Sequence, residues 1–518
     1  MPLPRPNTPW PPPELDGLLR PLASWSAWYT GTADDLRAAY RAPHLDRPAQ
    51  YRGGVTGTAA RMWWGQPVGD LAASRRDQIH VPIAADLCQA SADLLFAEPP
   101  QITSGDARTQ DRLDALVDDG LHAALAGGHE IGSALGGVYL RVSWDRDIVP
   151  DGPFLTSLHA DNAVPEFRWG RLVAVTFWWN LTQDSGVVLR HLERHELRGG
   201  EGVIIHGLYQ GDGQSLGRPV PLTEHPSTEG LAGIVNANSE IPTGSPGLAV
   251  VYVPNQTPQR RWRNHPVGAN YGRSDLDGIE PMMDALDETM SALQRDVRLA
   301  KARIVVARSL LDNFGPGQGA AFDLDREVFA PVNALQKGTE GGLPMEAVQF
   351  KIRAEEHLRV AQEWTEVILR SAGWSAQTFG EGDEQGSTRT ATEVDARDKR
   401  SDRTRDRKIR HWRPGTRAIL GKLLAVDATV FGNASTPEGL EVVFPDTDQE
   451  SPLALAQTAQ ALTAARAAST RTRVQLVHPD WDEQLVDEET ARILAEEGMA
   501  VPDPIADGES GAGFTDAG

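Results

Sequence analysis

The sequence predicts an α+β protein built in several parts. At 518 residues the chain exceeds what one ordinary core organises. Its hydrophobic patterning also changes along the length, from spacings of three and four to alternation in steps of two and back again. With 40% hydrophobic and 24% charged residues, the composition is that of a soluble globular chain. No apolar run nears the ~20 residues of a membrane-spanning helix, and "MPLPRPNTPWPPP" has no signal-peptide core. Synthesis and use in a cytoplasm are therefore expected, with no membrane partner.

Residues 1–44 read as a Pro-rich arm whose first 13 residues should be extended or disordered. From about 45 to 135, "VPIAADLCQASADLLF" and "DRLDALVDDGLHAALAGGHEIGSAL" have helical spacing. Cys88 lies in the first of these as a small buried side chain rather than a nucleophile. A single cysteine excludes an intrachain disulfide and a Cys-built zinc site. From Gly136 to Val253 short alternating runs ("VYLRVSW", "LVAVTFWW", "VVLRHLERHEL", "GVIIHGLYQ", "LAVVYV") predict a β-rich module, with "LRGGEG" as a hairpin.

A third texture follows. Leu276, Ile279, Met283, Leu286, Met290, Leu293 and Val297 recur at alternating spacings of three and four, the seam of a long packed helix. Ser274 is its expected N-cap, with Pro281 bending or restarting it. A Gly-rich connector leads to a strand at "AVQFKI". A second helix at "AEEHLRVAQEWTEVILRSAG" carries Leu358, Ala361, Thr365, Ile368 and Ala372 on one side, with Gly373 as C-cap. Two more helices are expected at "SPLALAQTAQALTAARAAS" and "DEQLVDEETARILAEE", before a loose tail over 501–518.

Catalytic signatures are wanting. Gly421-Lys422 lacks the upstream glycine of a phosphate loop, and no Gly-x-Ser-x-Gly elbow occurs. His191, Glu193 and His195 would share one face of a strand, but without zinc-protease spacing they read as an exposed polar face. No cofactor, metal site or catalytic residue is expected, and a metal-dependent enzyme is the weakest alternative.

The most charged stretch is "GSTRTATEVDARDKRSDRTRDRKIRHWRPG", 386–415. It holds ten Lys or Arg against five Asp or Glu between Arg389 and Arg413, in a chain of formal charge −22. Wound as a helix, it sorts its charges: Asp395, Asp398, Asp402 and Asp406 form an acidic stripe, and Arg400, Arg403, Arg407 and Arg410 a basic one. Such a helix is suited to lie against a copy of itself, acid to base. A basic DNA-binding arm is the alternative, but non-specific DNA affinity needs a net excess of cations.

In order along the chain, "HVPIAADLCQASADLLFAEPPQI", "VYVPNQTPQRRWRN", "GRSDLDGIEPMMDALDETMSALQRDVRLAKARI" and "SAGWSAQTFGEGDEQGSTRTATEVDARDKRSDRTRDRKIRHW" resemble the portal proteins of tailed bacteriophages, of the siphophage type also called minor head proteins. The resemblance spans roughly residues 50–500. It implies a non-enzymatic homo-oligomeric ring, typically of twelve, at one capsid vertex of the virion, assembled in the host cytoplasm and passing double-stranded DNA at packaging and ejection. Its parts would be a wing (45–270, helical then β-rich), a stem helix (271–303), a clip with connecting strand (304–352), and a second stem helix (353–375). A tunnel loop (376–388) would follow, then a long charged helix (389–432) kinked near Arg413 before Pro414, and a helical crown (433–500). Glu381, Asp383, Glu384, Gln385 and Ser387 would face DNA. Implied partners are the terminase large subunit, a head-completion or adaptor protein, and the major capsid and scaffold proteins. Twelve copies carry 12 × −22 = −264 formal charges, which suits a conduit that must not grip its cargo.

Overall fold

The computed structural model describes residues 3–39, 79–184, 186–299, 303–306, 312–313, 320–321, 345–348, 352–379, 391–445, 452–478, 481 and 483–496. They fall into two compact units, Met1–Pro445 and Asp446–Gly518.

In the first unit the Pro-rich segment is extended but docked. Pro9 bridges Ser215, the Trp10 amide donates to the Gln214 carbonyl at 2.9 Å, and the Trp10 ring is buried with Trp178, Leu192, Tyr209 and Leu216. Proline has already fixed much of that backbone, so ordering it costs little entropy. Up to residue 39 the rest of the expected arm is helical, as α1 (Asp16–Thr30) and α2 (Ala33–Ala39), and 40–44 lie outside the described residues. Leu18, Leu22, Trp25 and Trp28 form the buried stripe of α1. Residues 45–78 of the expected helical region lie outside the described residues.

The helical spacing beyond them appears as α3 (Ile83–Phe96), then strand β1 (Gln101–Thr103), α4 (Ala107–Asp118) and α5 (Leu121–Leu135). Gly120, at φ 94, separates the last two helices. Strands β2 (Gly137–Ser143), β3 (Phe154–His159), β4 (Ala163–Arg168), β5 (Arg171–Asp184), β6 (Val187–Arg198), β7 (Glu201–Gly211) and β8 (Arg218–Val220) follow. After helix α6 (Pro226–Ala232) come β9 (Glu240–Pro246) and β10 (Val250–Pro254). They build a three-stranded sheet ordered β10-β2-β3 and a six-stranded one ordered β4-β5-β6-β7-β8, with β9 also on β7. Gly199 and Gly200, at φ 62 and 95, turn β6 into β7 with Arg198 opposite Glu201. That is the expected hairpin, whose two-residue turn needs left-handed backbone to match the strand twist.

Helix α7 (Glu280–Leu299) is the long helix read from the seam, but it starts at Glu280 and not at a Ser274 cap. Pro281 lies in the first turn, where a missing N–H costs nothing. Ser274 instead accepts from the Leu276 amide at 3.0 Å and donates to the Ala134 carbonyl. The body grips α7 firmly. The Val81 amide and His80 Nδ1 meet the two carboxylate oxygens of Asp287 at 2.8 Å each, and Trp25 Nε1 donates to Glu280 at 2.9 Å.

Beyond α7 two short antiparallel pairs are described, β11 (Arg303–Val306) with β14 (Met345–Val348) and β12 (Asp312–Asn313) with β13 (Ala320–Ala321). The strand read at 347–352 thus starts two residues earlier, and 349–351 lie outside the described residues. Helix α8 (Ala354–Ala372) ends at Gly373, φ 98, the expected left-handed cap. Helix α9 (Ala391–Val426) is continuous through Pro414 and Gly415, where the sequence predicts an interruption. At Gly415 an added Cβ would lie 2.6 Å from Val253, so the helix passes close over β10. Strand β15 (Glu441–Val443) returns to pair with β1.

The second unit holds α10 (Pro452–Ala464), α11 (Thr470–Val477) and α12 (Glu483–Glu496). The outer two are the predicted helices. The eight-residue α11, capped by Ser469 accepting from the Thr472 amide at 3.2 Å, is too short to display a periodicity in sequence.

Where α5 gives way to β2, two backbones touch. A Cβ on Gly136 (φ 82) would sit 2.5 Å from the Gly272 carbonyl, and one on Gly272 would meet the Gly136 carbonyl at 2.0 Å. Gly272→Ala is therefore expected to lower stability by roughly 2 kcal/mol or more, read as a lower urea midpoint of the full chain; an unchanged midpoint would show that the two segments can separate freely.

Candidate functional site

The two helices α7 and α8 lie antiparallel, since Arg353 and His357 at the start of α8 reach Asp296 near the end of α7 at 3.2 Å. Their burial is graded. Leu276 and Ile279, in the lead-in turn, are buried with Met283 and Leu286 of α7 and Ala361, Ile368, Leu369 and Ala372 of α8. Met290 and Leu293 are half-buried, and at the far end Val297 is 48%, Leu358 53% and Val360 47% exposed. The predicted seam thus packs within one subunit only over its first half; Leu358, read with the α8 packing face, stands in solvent.

Helix α9 docks against this pair by a polar face. Ser401, Thr404, Arg405, Lys408, Ile409 and Trp412, spaced as one helical stripe, are all buried. The Ser401 hydroxyl accepts from the Ser375 amide at 3.0 Å, and Thr404 donates to the Gly373 carbonyl at 2.7 Å. Arg405 donates to the carbonyls of Leu94 (2.9 Å) and Pro445 (2.6 Å). Lys408 is 0% exposed. Its ammonium pairs with Asp275, donates to Ser91 Oγ and lies 5.1 Å from the centre of the Trp374 ring.

Asp275 is a hub: its other oxygen accepts from Asn255 (2.8 Å) and Gln256 (2.9 Å). Burial lowers the Lys408 pKa while Asp275 opposes the drop. Burial, and then the Lys408 charge, push His129, 2.9 Å from Ser91, well below its ordinary value, so it is neutral. Cys88, in the same core, is pushed up to about 12 by burial, as fits a packing residue.

A second buried polar cluster lies on β6. His191, Glu193 and His195 are buried and not on an open face as their polarity implied. Glu193 takes Arg141 of β2 at 2.7 Å and His195 Nε2 at 2.7 Å, and His191 Nε2 lies 3.2 Å from His206 Nδ1 of β7. Burial disfavours the Glu193 carboxylate, yet Arg141 and His195 outweigh it and hold its pKa well below the usual range. Burial pushes His206 down to about 4 and lowers His191. Among the described residues no three His, Cys, Asp or Glu side chains converge to hold a metal ion.

Residues 215–503, more than half of the chain, match the family model "Phage portal protein, SPP1 Gp6-like". The chain belongs to this phage portal family. No curated protein matches it. The match covers both helices of the α7–α8 pair, α9 and the second unit, whereas residues 1–214 of the portal chain lie outside it. The family is structural, and its members are components of the phage capsid. No described helix is long and apolar enough to cross a membrane.

Of the residues singled out in this portal chain by sequence, Glu381, Asp383, Glu384, Gln385 and Ser387 lie outside the described residues. Asp395 and Asp398 belong to α9, and the described part of the stripes is outward: Arg400, Arg403, Asp406, Arg407 and Arg410 are exposed and Asp402 half-buried. Arg400 reaches the Arg370 carbonyl at 2.8 Å. Missing from the sequence reading were Arg405, Lys408 and Asp275. Their signal was phase: Ser401, Thr404 and Lys408 continue, backwards, the stripe of Ile409, Trp412, Ile419 and Leu423.

Two outcomes follow from these clusters. Lys408→Ala strands the Asp275 carboxylate in the core and should cost about 3–5 kcal/mol, whereas Lys408→Ala/Asp275→Asn should recover part of it; chemical denaturation of the single and double variants checks this. On acidification, His206 is protonated in the unfolded chain near its ordinary value but resists until about pH 4 when folded. Its folded pKa being depressed, its contribution is complete above ~6.5 and lost as pH falls toward 4, at most about 1.4 kcal/mol per pH unit for one proton. The melting temperature should fall over that window, and His206→Gln should flatten the fall.

Proposed function

We propose that this portal protein forms a closed ring, typically of twelve copies, at one vertex of the capsid. The ring is the conduit for double-stranded DNA at packaging and ejection. The terminase large subunit, a separate ATPase, would dock on the clip part, and a head-completion or adaptor protein, the major capsid protein and the scaffold protein are the other partners. The observation that carries the ring is the graded seam: burial within the subunit fades along the α7–α8 pair, and at its far end Val297, Leu358 and Val360 are about half exposed. Apolar side chains left exposed on paired helices are covered by neighbouring copies when a heterologous contact closes on itself.

The charged helix supports the same reading. Its buried stripe joins α9 to its own subunit, which leaves Arg400, Arg403, Asp406, Arg407 and Arg410 pointing outward for a neighbour. The acidic loop with Glu381, Asp383, Glu384, Gln385 and Ser387 then meets the cargo, where acid repels phosphate and lets DNA slide. Native mass spectrometry and negative-stain microscopy should show a ring with countable symmetry, and a clean monomer at micromolar concentration across salt conditions would refute it. Reversing Asp398, Asp402 and Asp406 to Lys should weaken ring assembly more than it changes DNA affinity; rings formed normally by the triple variant would remove the charged helix from the interface.

A further inference from the structure

The turn between β4 and β5 is made by Trp169 and Gly170, flanked by Arg168 and Arg171, which face each other in the ladder. Both turn residues have positive φ, 53 and 74. Two-residue hairpin turns of that kind favour Asn-Gly, because the first residue must enter the left-handed region that a bulky side chain resists. Tryptophan there costs on the order of 1 kcal/mol of backbone strain, and no packing compensates: Trp169 is 97% exposed. Arg168 and Arg171 are exposed as well, with no ion pair to them among the described residues. Strand β4 is the edge of its sheet, so the tip stands at an open corner.

A strained, solvated aromatic between two free cations has the composition of a binding hot spot, since Trp and Arg are the residues that carry interface energy when desolvated. We infer that the Arg168–Trp169–Gly170–Arg171 tip packs against an acidic surface of a second copy of this chain. The occupant follows from charge and symmetry. The tip is locally basic while the chain carries −22, so a copy's acidic surface complements it, and a head-to-tail ring contact pairs a protruding feature of one subunit with a different, recessed patch of the next. The inference rests on the ring reading above.

The test uses the full chain and Trp169→Asn, which suits the left-handed position and should melt no lower than wild type. Loss of a hot-spot tryptophan should raise the concentration for half-assembly at least ~30-fold. In parallel, hydroxyl-radical footprinting read by peptide mass spectrometry should find Trp169 oxidised in the dilute free chain and protected in rings. Unchanged assembly by Trp169→Asn, or equal oxidation of Trp169 in free chain and ring, overturns this contact and leaves the ring standing. Protection that appears only when DNA or a capsid protein is added assigns the tip to that partner and equally overturns the self-contact. If wild-type chain forms no ring at any concentration, the ring reading falls first and takes the contact with it.

Discussion

The structure depends on one buried charge. A lysine with no exposed surface is tolerated only where its ammonium finds a carboxylate and further polar contacts, because desolvation alone would drive off its proton. Lys408 meets that demand with Asp275, Ser91 and the Trp374 ring. Each partner belongs to a different part of the subunit: Ser91 to α3, Asp275 to the turn that leads into α7, and Trp374 to the segment just after α8. A single side chain on α9 therefore registers the departure of the α7–α8 pair against the body. A hydrophobic contact of the same size would hold these elements together without specifying their register, since it tolerates sliding and an ion pair with fixed hydrogen bonds does not.

From that anchor the α7–α8 pair changes character along its length. Near the anchor its apolar residues join the same buried core as α1, with Val81 packed on it and Asp287 accepting from both Val81 and His80. Away from it Val297, Leu358 and Val360 are left bare. The N-terminal segments matter for that reason. Residues 16–39 are less an arm than part of the body: α1 packs against α3 and α5, and Trp25 touches the first turn of α7 directly.

How much of this was legible in the sequence depends on which physical rule decides each element. The β6–β7 hairpin and the Gly373 cap follow from local turn chemistry and are where the sequence predicts them, whereas of the α7 seam only the first half is buried and the helix itself begins at Glu280. Helix α1 carries a Leu18, Leu22, Trp25 and Trp28 stripe, but the prolines just before it give the segment the composition of an extended arm. The His191–Glu193–His195 face was read as open because polar residues usually face water. Its burial is decided by Arg141 on β2 and His206 on β7, partners far apart in sequence whose pairing only tertiary structure brings about. The burial of Lys408 and Arg405 is likewise decided by partners far apart in sequence, and only their phase with Ile409 and Trp412 signals it.

The burial of Lys408 bears on DNA. Ten Lys or Arg in 389–413 are what the alternative of a DNA-binding arm rests on. Phosphate binding needs cations free to displace counterions, and among the described residues the count shrinks. Lys408 is spent on Asp275, Arg405 on two carbonyls, and Arg400 on the end of α8. Those that remain outward, Arg403, Arg407, Arg410 and Arg413, stand beside the exposed Asp406 and the half-buried Asp402, so the described face is mainly basic. A mainly basic face on a chain of formal charge −22 complements the acidic surface of another protein subunit as well as phosphate. Under the ring proposed above, that basic face would meet the acidic surface of a neighbouring copy, while the acidity of the chain as a whole would keep it from gripping DNA.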